Sequence, residues 1–197
     1  MRFSLFGTRI YVSFLFSATL SLMLATDRTG LMIPTLFAAL IHETGHLFSM
    51  WASDCAPKEI RHIPAAVQIV EKYGTPLKKQ WGIIICGPLA NIAVSAAIFI
   101  NFYLTGSDIS LRFAFLNLVM AAFNLLPVSG LDGGRLLELF ISAKKDIYTA
   151  ARTVNIITIV LAILLCVVGV TLVIRGNVNL SVFILALYLF MCAIIKR

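Results

Sequence analysis

The sequence predicts an all-α polytopic membrane protein of about six transmembrane helices. Composition is the first sign: 60% of the 197 residues are hydrophobic and 13% charged, with a mean hydropathy of +0.96. Soluble domains run nearer to about 45–50% apolar and about 25% charged. The second sign is segmentation. Apolar stretches fall at roughly 10–25, 31–52, 81–104, 109–126, 154–174 and 180–195. Most reach the length of about 20 residues that a helix needs to cross a bilayer. The fourth is short and the sixth modest.

Charge placement sets the expected topology. With both termini in the cytoplasm, the inside segments hold Arg2, Arg9, Lys58, Arg61, Lys72, Lys78, Lys79, Arg135, Lys144, Lys145, Arg152, Lys196 and Arg197, and only Arg28, Arg112 and Arg175 fall outside. Basic loops stay cytoplasmic, so six spans with both ends inside are expected in a multi-pass cell-membrane protein. The net charge of +7 reads as this bias plus attraction to anionic lipid heads. No basic groove with interleaved aromatics is present, so nucleic-acid binding is not expected. The 10–25 segment, flanked by Arg2 and Arg9 and ending near Asp27, also fits a cleaved signal peptide, but a retained span is favoured. Cys55, Cys86, Cys166 and Cys192 are scattered and form no C-x-x-C pair, so neither a disulfide framework nor a thiolate metal site is indicated. The chain is read as one membrane-embedded domain over 1–197, with a core at about 31–143 and two further helices at about 154–195.

Within the second apolar segment lies His42-Glu43-Thr44-Gly45-His46. Residues four apart share a helix face, so His42 and His46 are placed to bind one zinc ion, with Glu43 as base for the attacking water. Ionisable groups at bilayer depth cost several kcal/mol and are usually kept for function. The plain alternative is that both histidines hydrogen-bond neighbouring helices. The longest polar stretch, 53–80, is too small for an inserted domain. Inside it 58–63 and 65–70 are β-branched and partly alternating, which fits a small hairpin or re-entrant strand pair near the active site, or a loop on the membrane surface. A strand edge there would suit a protease, which must bind its substrate extended.

Zinc hydrolases take three protein ligands and keep one position open. Asp27 and Asp108 fall on the opposite side, Asp54, Glu59 and Glu71 in the polar loop, and Asp146 in a basic stretch. Asp132 is the best third ligand. It follows Pro127 and Gly130, precedes Gly133 and Gly134, and sits where a helix cannot run straight through. Glu138 is the nearest rival, His62 a weaker one, and a turn-forming aspartate the plain reading. Irregular backbone at membrane depth has to be buried or line a wet cavity, so 124–135 is expected to fold inward, with a helix from about 135 to 143 after it. In the third span, Asn91 follows Gly87 and Pro88. Its amide either bonds another helix or meets the substrate backbone or the Asp132 loop.

Together, His42 to His46, Gly87 to Asn91, and Asn124 to Gly134 resemble the site-2 protease family of intramembrane zinc metalloproteases, and the six-span plan is similar to its stage IV sporulation protein FB branch. The resemblance implies one zinc per chain held by His42, His46 and Asp132, Glu43 as catalytic base, and Asn91 near the substrate. Gly87, Asn124, Pro127 and Gly133 would shape the site or bind substrate. It further implies removal of the pro-sequence of a membrane-associated precursor sigma factor during sporulation, under membrane-bound inhibitory partners. Neither a CBS nor a PDZ domain is expected. Two other functions stay open: cleavage of a membrane-anchored regulator or remnant signal peptide, and a metal transporter or metal-binding scaffold using the same residues. A transporter would more naturally show inverted-repeat halves and polar residues along several spans, and neither is apparent.

Overall fold

The computed structural model describes residues 2–5, 8–12, 21, 24–55, 59–63, 66–70, 76–175 and 180–195. They divide into two compact units, 1–122 and 123–197.

The first unit carries a four-stranded sheet in the order β1 (Arg2–Leu5), β2 (Thr8–Val12), β3 (Glu59–Ile63), β4 (Ala66–Val70). β3 and β4 form an antiparallel hairpin in which Glu59 faces Val70 and Ile63 faces Ala66. β2 runs parallel to β3, Ile10 opposite Ile60, and pairs antiparallel with β1. The strands join an otherwise helical fold, and β2 corrects the start of the first predicted span. Residues 8–12 extend as a strand because a partner 50 residues later supplies backbone bonds that a local pattern does not reveal. Of the rest of that span, 13–20 and 22–23 lie outside the described residues, while 21 and 24–25 are helical.

Helix α1 (Met32–Ala52) opens on a turn built by Asp27. One carboxylate oxygen accepts from the N–H of Thr29 and Gly30 and from the Thr29 hydroxyl, and the other from the N–H of Met32. The Thr29 hydroxyl, then the Met32 and Thr29 amides, hold this carboxyl below the usual aspartate range. α1 closes through Asp54 at φ 54, where the Cys55 N–H reaches back to the Met50 carbonyl at 2.9 Å. α2 (Leu77–Thr105) starts after Pro76, contains Pro88, and stops at Gly106 in the left-handed region. A two-residue turn then starts α3 (Asp108–Asn124), and the Ser95 hydroxyl donates to the Ala114 carbonyl at 2.8 Å, tying the two helices together.

The second unit holds α4 (Asp132–Ser142), α5 (Ile147–Ile174) and α6 (Leu180–Ile195). Asp146 caps α5 by accepting from the Thr149 N–H and hydroxyl, both at 2.7 Å, and those two bonds hold its carboxyl below the usual range. Val128 and Leu131 of the loop before α4 pack with Ala162 of α5 and Leu189 of α6 into a small buried core. α2 and α5 are long and apolar enough to cross a membrane, and 182–194 is a shorter apolar helix. Only 17% of the most apolar window of α5 is buried, unlike the core helix of a soluble protein.

Candidate metal centre and active site

On α1 the buried residues Ala38, His42, Gly45, His46, Ser49 and Met50 form one stripe, while Ile33, Phe37, Leu40, Phe48 and Trp51 are exposed on the other side. That is the spacing of one helix face, and it carries both histidines inward. Their Nε2 atoms lie 3.1 Å apart, with the rings edge to face at 83°. The other nitrogen of His46, Nδ1, is 2.8 Å from the Ile83 carbonyl on α2. Since a carbonyl only accepts, Nδ1 of His46 carries the proton and Nε2 presents a lone pair. Two Zn–N bonds of about 2.0–2.1 Å at a tetrahedral angle separate the nitrogens by about 3.3 Å. The observed spacing and the second hydrogen bond of His46 therefore fit a pair that shares one zinc ion. Glu43, half-buried, lies next to His42 and three residues before His46 on the same helix.

This approach of α1 to α2 depends on two glycines. A Cβ on Gly45 would lie 2.5 Å from the Cys86 carbonyl oxygen and 2.8 Å from the Ala90 Cβ, and one on Gly87 would collide with the His46 imidazole. Asn91 is fully buried and donates through Nδ2 to the Ala38 carbonyl, one turn before His42, at 3.1 Å. Of the two roles open to Asn91, the interhelical bond is thus present.

Asp132 stands in the first turn of α4, 7% exposed, where the positive end of the helix favours a carboxylate. α4 begins three residues earlier than expected, with Gly133 and Gly134 inside its first turn. A Cβ on Gly133 would collide with the Leu125 and Leu126 carbonyls, and one on Gly134 with the Val128 carbonyl, so the preceding loop lies directly on the helix start. Asn124 ends α3 and Pro127 sits in that loop, both half-buried. Glu138 is half-buried, more than a turn further along α4. His62 is on β3, opposite Val67, and its side chain lies outside the described atoms.

Sequence reasoning missed the Ile83 carbonyl, which as a backbone group has no sequence signature. It also passed over Asn117, Ser129 and Thr158, all fully buried. Polar residues inside apolar spans are a signal in their own right, and that signal points to Asn117 and Thr158. All four cysteines are free thiols.

Two helices apolar enough to cross a membrane, together with a helix that carries a His-Glu-x-x-His run with its imidazoles apposed, define the class: a membrane protein with the motif of a metallohydrolase. The profile of peptidase family M50 matches residues 106–168, which include the Asp132 loop but not the histidine pair. Stage IV sporulation protein FB of Bacillus subtilis (strain 168) is 31% identical over 145 residues, covering 67% of this chain and 47% of that protein. The chain thus spans about half the length of the curated relative it matches. The site-2 protease from Methanocaldococcus jannaschii has the same fold, with a TM-score of 0.75 at 20% identity over 100% of this chain and 94% of that one. The chain is thus similar to the membrane metalloproteases of the site-2 protease family, peptidase family M50, by a family match over 106–168, a curated relative and a shared fold.

Proposed function

We propose that the protein is an intramembrane zinc endopeptidase of regulated proteolysis. His42, His46 and Asp132 are the protein ligands of one zinc ion and Glu43 is the base. The observation that carries this reading is the 3.1 Å apposition of the two Nε2 atoms, with His46 held through Nδ1 by the Ile83 carbonyl. All three ligand side chains are buried, and the donor set of two imidazoles and a carboxylate suits zinc. When bound, zinc supplies a Lewis acid that polarises the scissile carbonyl and makes water a better nucleophile.

The chain's own residues do the rest. As water adds to the carbonyl carbon, Glu43 takes its proton, then hands it to the amide nitrogen as the C–N bond breaks, releasing an acid and an amine. Asn91 binds or positions the substrate, and Gly87, Asn124, Pro127 and Gly133 bind it or shape the site. The molecule is multi-pass, with six spans and both termini cytoplasmic, as the distribution of basic residues supports. The substrate class is the pro-sequence of a membrane-associated precursor sigma factor, supported by the 31% identity to a sporulation protein, with membrane-bound partners inhibiting the enzyme.

Co-expression with the candidate precursor from the same genome tests this reading. Wild type is expected to shorten the precursor and Glu43→Gln to leave it intact at equal protein level. Mapping the new amino terminus inside a transmembrane helix of the substrate instead would shift the substrate to a membrane-anchored regulator or remnant signal peptide.

A further inference from the structure

Thr158 lies in the middle of the apolar helix α5, fully buried. A threonine in such a helix ordinarily satisfies itself by donating to the carbonyl four residues back, and Thr158 does so to Val154 at 2.8 Å. That uses its proton and leaves its lone pairs. One of them accepts the backbone N–H of Ser129 at 2.8 Å, and Ser129 is also fully buried, three residues before Asp132. We propose that Thr158 is a positioning residue for Asp132: its hydroxyl clamps the loop that presents the carboxylate. This rests on the reading of Asp132 as a zinc ligand.

The loop transmits displacement because it has little slack. The Val128 N–H bonds the Leu126 carbonyl and the Leu131 N–H the Val128 carbonyl, so one tight turn precedes Ser129 and a second encloses it. The side chain of Val128 is fully buried, and Gly133 and Gly134 press against the carbonyls of Leu125, Leu126 and Val128. Replacing Thr158 by valine keeps the shape and removes the acceptor. The Ser129 N–H is then orphaned in an apolar setting, which forces the loop to move toward another partner. The Ser129 hydroxyl itself has no hydrogen-bond partner among the described residues, so it is the backbone of Ser129, not its side chain, that is held.

The test uses the full chain in detergent and two readouts: zinc affinity by competition with a chromogenic chelator, and amide exchange in the zinc-free protein. Thr158→Val is expected to weaken zinc binding by about tenfold, the low end for losing a group that orients a ligand. It should also speed exchange at the Ser129 amide. Thr158→Ser, which keeps the acceptor, and Ser129→Ala, which keeps the N–H, are expected to match wild type in both. Val154→Ala, a cavity in the same helix turn, should lower thermal stability and leave zinc affinity alone, which separates positioning from general destabilisation. Wild-type zinc affinity in Thr158→Val beside weakened binding in Asp132→Ala overturns the positioning role. Unchanged affinity in Asp132→Ala overturns the ligand assignment itself.

Discussion

A single methyl group decides the geometry at Gly87, because a Cβ there would take the space of the His46 imidazole. Gly87→Ala is therefore expected to yield folded protein with most of its zinc lost, by metal analysis of the purified chain. Gly82 on the same helix has nothing near its missing Cβ, and Gly82→Ala should keep its zinc and gain up to about 1 kcal/mol of helix propensity. Equal zinc loss in both would remove the steric account of Gly87. Gly133→Ala meets backbone carbonyls instead of a movable ring. Overpacking of that kind costs about 1–3 kcal/mol, so it should lower the melting temperature even without metal. At this scale the apposition of His42 and His46 was legible in sequence, since residues four apart share a helix face. The partner of His46 was not, because Ile83 contributes only its carbonyl.

Among the elements, the helices at 32–52, 77–105, 108–124, 147–174 and 180–195 follow the apolar segments closely, since a long hydrophobic run is a local property. The sheet was only half legible. β3 and β4 announce themselves by β-branched residues around Pro64, whereas β2 owes its conformation to pairing with β3 across the length of α1. The start of α4 was misplaced because glycines usually argue against a helix, and here they are needed for the loop to lie on it. The cap of α5 carries a pH prediction. The Thr149 hydroxyl and amide hold the Asp146 carboxyl below its usual value, so its contribution is full above the unfolded pKa and is lost as pH falls through the lowered folded one. Exchange at the Thr149 amide should stay slow from neutral pH down to the ordinary aspartate range and rise only below it, whereas Asp146→Ala should exchange fast throughout. Fraying that already sets in between neutral pH and that range would contradict the assignment of the cap.

For the molecule as a whole, composition and charge gave the membrane setting and the family resemblance gave the reaction class, while the substrate is not written in this chain at all. The proposed topology places the loop after α1 in the cytoplasm, so Cys55, half-buried just beyond that helix, should react with an impermeant maleimide only from the cytoplasmic side. Labelling from the outside would reverse the topology. The central claim is hydrolysis by Glu43 beside a zinc ion held by His42, His46 and Asp132. The most direct measurement follows precursor cleavage and zinc content together in wild type and Glu43→Gln. The account predicts one zinc per chain in both proteins and cleavage by wild type alone; cleavage by Glu43→Gln with its zinc intact would contradict it.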